Sequence, residues 1–215
     1  MNVQRKWLVA LLAASLLLAW PFAPDAEASA ALKPGSSGGD VWDVQYRLKT
    51  HGYYQQSLDG IYGGHTANAV RAFQRNYGLA ADGVVGAATW RLLKRHTLNM
   101  QEMDMMARTI YSEARGESYT GQVAVGAVVM NRIRSAQFPD TIRGVVFQPR
   151  AFTAVDDGQY WLTPNRTAYM AAQDAVRGWD PTRGSLYYFN PETATSAWIW
   201  TRPQTIKIGK HIFAK

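Results

Sequence analysis

Tyr111-Ser112-Glu113-Ala114-Arg115-Gly116-Glu117 puts two carboxylates at the end of a helix whose preceding turns are apolar. At about 100° per residue, Met103, Met106, Ala107, Ile110 and Ala114 fall on one stripe, with Glu113 on its edge and Arg108 and Ser112 facing away. An acid at the rim of a core stripe is partly desolvated, which favours its protonated form near neutrality, as general acid catalysis requires. The competing reading is a structural glutamate at a helix end, ion-paired with Arg108 or Arg115. Glu117 follows the break at Gly116 and is assigned to substrate contact or to support of Glu113.

Downstream, Ser118 or Thr120 can cap a second helix over 120–134. Val123, Ala124, Val125, Ala127, Val128, Val129 and Met130 make that helix apolar nearly all round, so it belongs at the centre of a domain. Thr163-Pro164 reads as a cap and first helical proline, opening a helix that closes at Gly178. Leu186-Tyr187-Tyr188-Phe189 and Ile206-Lys207-Ile208 are short strands between Gly-rich turns. Residues 97–215 are therefore expected to form an α+β domain.

Upstream lies a different pattern. Asp59-Gly60-Ile61-Tyr62-Gly63-Gly64-His65-Thr66 and Asp82-Gly83-Val84-Val85-Gly86-Ala87-Ala88-Thr89 repeat D-G-x-x-G-x-x-T at a spacing of 23 residues. Each copy is a turn feeding a helix, with Thr66 and Thr89 expected at the N-caps. A further helix near 40–51 would place Val41, Val44, Leu48 and Tyr46 inward. These elements define a small helical domain over 40–96. Residues 29–39, rich in Gly and Ser, read as a flexible linker. Residues 1–28 have Arg5-Lys6, an apolar run from Trp7 to Trp20 and small residues up to Ala28, the pattern of a secretory signal peptide. Cleavage could also follow Ala30, and retention as an uncleaved anchor is the alternative.

Composition narrows the chemistry by exclusion. The chain has no cysteine, which rules out disulfide staples and a thiol peptidase. Residues 98–215 contain one histidine, His211, too few for a zinc site of two or three imidazoles, so no metal or other cofactor is expected. Neither S-x-x-K nor a G-x-x-x-x-G-K-[ST] phosphate loop occurs. The net charge of +7 is spread without a basic run, which suits an anionic wall or membrane surface rather than a nucleic-acid groove. Carboxylate chemistry remains, and Tyr160-Trp161, Trp179, Tyr187-Tyr188-Phe189 and Trp198-Ile199-Trp200 supply rings on which sugar faces stack. Among these, Tyr188, Asn190 and Trp198 are assigned to a glycan groove near Glu113, with core packing the competing role for each ring.

Residues 40–96 resemble the small three-helix peptidoglycan-binding domain of bacterial wall hydrolases, through Gly52-Tyr53-Tyr54, Thr66-x-x-Ala69-Val70-x-x-Phe73-Gln74, Gly78-Leu79 and the two D-G-x-x-G-x-x-T turns. Val44-Gln45 stands where that family usually has Leu-Gln. Residues 103–215 closely resemble the catalytic domain of the SleB/CwlJ type of spore cortex-lytic enzymes. The marks are the run 110–117, Gly121-Gln122-Val123-Ala124-Val125-Gly126-Ala127-Val128, Asn131-Arg132, Trp161-Leu162-Thr163-Pro164, Gly178-Trp179-Asp180-Pro181, Tyr187-Tyr188-Phe189-Asn190-Pro191 and Trp198-Ile199-Trp200.

The resemblance implies a lysozyme-like, lytic-transglycosylase-related α+β fold acting on spore cortex peptidoglycan during germination, with Glu113 as the single catalytic glutamate. It further implies muramic δ-lactam as the recognised wall modification and location at the spore inner membrane surface and cortex; an inhibitory or stabilising spore protein is a candidate partner on which the sequence itself is silent. In lytic transglycosis one glutamate serves as acid and then base and no second carboxylate is needed, whereas a hydrolase normally requires one. A water-using muramidase or glucosaminidase and a non-catalytic wall-binding protein are the alternatives.

Overall fold

A computed structural model describes residues 31–149 and 151–215, so the expected signal peptide lies outside the described residues. Among them, no helix is long and apolar enough to cross a membrane.

The first module is built from α1 (Gly39–Thr50), α2 (Gly64–Asn76) and α3 (Ala87–His96) around Val41, Val44, Leu48, Tyr62, Val70, Phe73 and Leu93. Its two repeated turns are fastened by a repeated glutamine. The Gln45 amide nitrogen donates to Asp59 Oδ1 (2.7 Å), Ile61 O and Thr66 Oγ1, while its Oε1 accepts from Gly60 N (3.0 Å). Gln74 does the same at the second copy, bonding Asp82 Oδ1 (2.8 Å), Val84 O, Thr89 Oγ1 and Gly83 N. Thr66 and Thr89 are consequently not N-caps. The caps are Gly63 and Gly86, and each threonine sits three residues into its helix, buried against the glutamine. Gln45 also takes the inward position expected for Tyr46, which instead stacks on Trp42 at 5.4 Å on the flank of α1.

Part of the stretch expected to be a flexible linker is fixed. Leu32 exchanges two backbone hydrogen bonds with Val85, and Ser37 bridges Ile61. Gly35 and Gly38 have φ of 96° and 115°, so these glycines supply backbone turns rather than slack, and buried Leu32 anchors the segment.

In the second module α4 (Met100–Ala114) begins at a capping box in which Asn99 and Glu102 satisfy each other's backbone amides. Met103, Met106, Ala107, Ile110 and Ala114 are all buried, as the stripe predicts. α5 (Tyr119–Arg134), capped by Ser118, runs through the centre of the module. A Cβ on Gly126 would come within 2.9 Å of Ile110 and of Ala175, so glycine there lets α5 lie close against its neighbours. Short helices α6 (Ile142–Val146) and α7 (Thr153–Asp156) and a 3-10 turn (Gln159–Trp161) follow. α8 (Arg166–Val176) is capped by Asn165, whose side chain accepts from Ala168 N. The helix thus opens two residues beyond the Thr163-Pro164 pair; it ends as expected before Gly178, with φ of 106°.

β1 (Tyr187–Phe189), α9 (Ala197–Trp200), β2 (Gln204–Ile208) and β3 (His211–Ala214) complete the chain. The sheet is antiparallel in the order β1-β3-β2, with Phe213 opposite both Tyr188 and Ile206. Phe213 packs on Ala124 and Val128, seating the sheet on α5. β3, the central strand, was missing from the sequence expectations. The two modules meet at Arg47, 2% exposed, which pairs with Asp43 on its own helix and with Glu102 at the start of α4 (3.0 Å).

Candidate active site

Glu113 lies in the last turn of α4 with its carboxylate held from two sides. Its Oε1 accepts from the backbone amide of Ala154 in α7 (3.1 Å), and its Oε2 accepts from the Tyr188 hydroxyl on β1 (3.0 Å). Neither of the expected arginine partners is engaged with it. Arg108 pairs with Asp104 one turn earlier (2.7 Å), and Arg115 donates to Gln159 (2.6 Å). Among the described residues Glu113 forms no ion pair, so neither Arg108 nor Arg115 is what holds it. Each carboxylate oxygen has two lone pairs, so the two donors leave capacity facing the cleft.

That cleft has a volume of about 340 Å³ and is lined by Ser112, Glu113, Arg115, Glu117, Asn190, Lys210 and His211 among others. Glu117 enters it from the α4–α5 turn. The Lys210 backbone amide points at its Oε2 (3.3 Å), and its carboxylate occupies the space that a side chain on Gly209 would need. Gly209 has φ of 56° in the two-residue turn between β2 and β3, so conformation and contact both call for glycine. Asn190 lines the cleft with its Oδ1 already accepting from Glu192 N, which turns its amide nitrogen into the group available to a ligand.

Tyr188 lies behind Glu113 rather than along an open groove. Its ring packs against His211 (5.1 Å) and Phe213. Burial, reinforced by the negative charge of Glu113, pushes its phenol well above the ordinary value, so the hydroxyl keeps its proton and remains a donor. Trp198 is 52% exposed on α9, edge-on to Tyr187 (5.2 Å) and under Arg202, and does not line this cleft. Of the other rings, Tyr160 is core while Trp161, Trp179 and Trp200 are exposed. Behind β1, buried Arg132 donates to Leu186 O (2.7 Å) and sits over Phe138, Phe152 and Tyr187.

His211 joins the site unforeseen. Burial holds its imidazole below the ordinary value, opposed by Glu117 and Glu113, and its Nδ1 is buried without a partner among the described residues. The signal was present in Ile206-Lys207-Ile208-Gly209-Lys210-His211-Ile212-Phe213, two β-prone runs separated by two residues including a glycine. The Ala154 amide had no such signal, since a backbone donor brought in by a distant loop leaves no mark in residue type. Among the described residues no cluster of His, Asp and Glu could hold a metal ion.

The two modules correspond to known families. A family described as Cell Wall Hydrolase matches residues 116–214, and one described as Putative peptidoglycan binding domain matches 37–93. The chain is thus a wall-cleaving enzyme with its own wall-binding module. It belongs to the spore cortex-lytic enzymes: it is 45% identical to a spore cortex-lytic enzyme of Bacillus cereus, over 89% of this chain and 88% of that protein, and 36% identical to one of Bacillus subtilis, over 86% and 89%. The crystal structure of the catalytic domain of the Bacillus cereus SleB protein, 63% identical, superposes with a TM-score of 0.53 over 54% of this chain and 91% of that one. A Bacillus anthracis structure, described as the catalytic domain of a germination-specific lytic transglycosylase SleB, is 64% identical over 55% of this chain and 97% of its own, with the same TM-score.

Proposed function

We propose that this protein degrades spore cortex peptidoglycan during germination, cleaving the β-1,4 bond between N-acetylmuramic acid and N-acetylglucosamine as a lytic transglycosylase. The observation that supports it most directly is Glu113, facing the cleft with no ion-paired partner among the described residues and with its two oxygens held by the Ala154 amide and the Tyr188 hydroxyl. Protonated Glu113 gives its proton to the glycosidic oxygen as the bond from muramoyl C1 to that oxygen breaks. The resulting carboxylate then accepts the proton of the muramoyl C6 hydroxyl while O6 bonds to C1, which regenerates the acid and leaves a 1,6-anhydro end. Asn190 offers its amide nitrogen to an N-acetyl or hydroxyl group of the substrate, Glu117 contacts the substrate in the same cleft or supports Glu113, and Trp198 contacts a more distant part of the glycan.

The first module, over 40–96, holds the enzyme on the wall, and residues 97–215 act on it. The catalyst works outside the cytoplasmic membrane, at the inner membrane surface and in the cortex of the spore. Muramic δ-lactam is the modification that it recognises, and a spore protein restrains or stabilises it before germination. A water-using muramidase is the second reading, favoured by Glu117, a second carboxylate in the same cleft. Released products separate the two. Anhydromuramoyl ends resist borohydride and are lighter by one water, so predominantly reducible muramic ends would refute transglycosis, and reducible glucosamine ends would refute the bond assignment too.

A further inference from the structure

We propose that the cleft between the two modules is a binding site for an oxyanion of carboxylate or phosphate chemistry. This cleft, about 500 Å³, is separate from the one that holds Glu113. His51 and His96 reach it from the first module, and Arg134 and Arg177 from the second. None of the described residues lining it is acidic.

Two buried nitrogens there lack partners, of which the Arg134 guanidinium nitrogen is a donor in every state. Arg134 Nε is buried and unpartnered among the described residues, and so is His51 Nδ1. Arg177 spends its Nε on the carbonyl of Thr50 (2.7 Å), which aims a planar fork across the junction. His51 Nε2 is shared with the Tyr77 hydroxyl (3.1 Å), and His96 lies against the Tyr77 ring (4.4 Å). Exposed Arg177 and partly buried Arg134 border a recess that no described acidic residue lines, and Asp180, which acts on Arg134 from outside it, is the one nearby carboxylate, so the recess carries a positive potential. The same arginines act, after burial, on the two histidines. Burial and the neighbouring Arg134, with Arg177 at His51 and Arg95 at His96, hold both at about 4. An anion would supply the missing acceptors and, because its ligands come from both modules, would fix them to each other.

Isothermal titration of the full chain tests the proposal with two probes: inorganic phosphate, and the free tetrapeptide stem of peptidoglycan, which has carboxylates but no glycan to enter the Glu113 cleft. Saturable one-to-one binding of either probe is expected; phosphate alone would identify a free small anion as the ligand, and the stem would identify the wall. Arg134→Gln should weaken binding by at least about 10-fold, the scale of a lost charge-assisted bond. His96→Gln, at a half-buried position that takes no part in the core, should weaken it as well and covers the case of an unstable Arg134 variant. No saturable binding of either probe to the unsubstituted chain, or undiminished affinity in the folded variants, would overturn the site. The second of those results would mean diffuse attraction to a chain of net charge +7.

Discussion

Replacing Glu113 separates its chemistry from its structural part because its two hydrogen-bond partners respond differently to Gln and to Ala. In Glu113→Gln the amide oxygen can still accept from the Ala154 amide, 3.1 Å away in the native chain, and the amide nitrogen can donate to Tyr188, whose hydroxyl rotates to accept. The fold should therefore lose less than about 1 kcal/mol. The proton needed by the leaving oxygen is gone, so turnover should fall by at least about 10²-fold, the ordinary yield of a positioned general acid–base. Glu113→Ala removes the acceptor as well and leaves the buried Tyr188 hydroxyl unpartnered, at a cost of about 1–3 kcal/mol. For a chain of this size each kcal/mol lowers the melting midpoint by about 2–4 °C, so the Ala variant should melt several degrees below the Gln variant while both are inactive. Turbidity loss of decoated spores and calorimetric melting read the two effects. Near-native turnover by Glu113→Gln would remove Glu113 from catalysis, and equal melting of the two variants would show that the Tyr188 contact contributes no stability.

Tyr188→Phe deletes one donor to Glu113 and should lower turnover by about 10- to 100-fold with little change in melting, since the ring packing on Phe213 survives; unchanged turnover would make that hydrogen bond incidental. Gly209→Ala must displace the Glu117 carboxylate or the β-turn, so its effect on activity should match that of Glu117→Gln and the double variant should lose no more than either alone, whereas additive losses would uncouple them. Gln45→Ala strips the first turn of its fastening and leaves the buried Gly60 amide unpaired, so cosedimentation with purified peptidoglycan should be lost while soluble fragments are still cleaved; retained cosedimentation would make the glutamine lock dispensable. His51 and His96 are held near 4 in the folded chain against about 6.5 unfolded. Their neutral state therefore contributes stability that is complete above about pH 6.5 and is lost as pH falls toward 4, because the unfolded chain takes up protons first. Melting should drop over that window and drop less in a His51→Gln, His96→Gln double variant; equal slopes would refute the assignment.

What the sequence disclosed divides along a physical line. Periodicity reports which side of a helix is wet, so the α4 stripe and the all-round apolar α5 were legible from residue type alone. The errors came where a polar group has two ways to be satisfied. Thr66 and Thr89 have the right chemistry for N-caps, but Gln45 and Gln74, one helix upstream, claim their hydroxyls, and the helices start on glycines instead. At α8 the cap is Asn165, two residues beyond exposed Thr163. The neighbourhood of Glu113 was harder still, because Ala154 and Tyr188 arrive from 41 and 75 residues away and one of them contributes only a backbone amide. Local pattern singles out Glu113, while the groups that hold it are set by how α7 and the sheet pack around α4.

The junction between the modules bears on how wall binding assists cleavage. A flexibly tethered binding module raises the local concentration of substrate and leaves its orientation free. Here the buried guanidinium of Arg47 reaches from α1 to Glu102 in the capping box of α4, and its NH1 donates to Thr97 O between the modules (3.0 Å). Arg177 on the second module donates to Thr50 O on the first, and Arg95 on the first to Arg134 O on the second. A buried cation satisfied this fully is strongly destabilised by loss of one partner, so it favours one relative placement of the modules over others. The Bacillus cereus relative crystallises as its catalytic domain alone, hence such a junction is not what allows that domain to fold. The contribution we propose for it is direction: α4 begins at the junction and carries Glu113 in its last turn, so a glycan strand held by the first module would meet the proposed acid toward the far end of a single 15-residue helix.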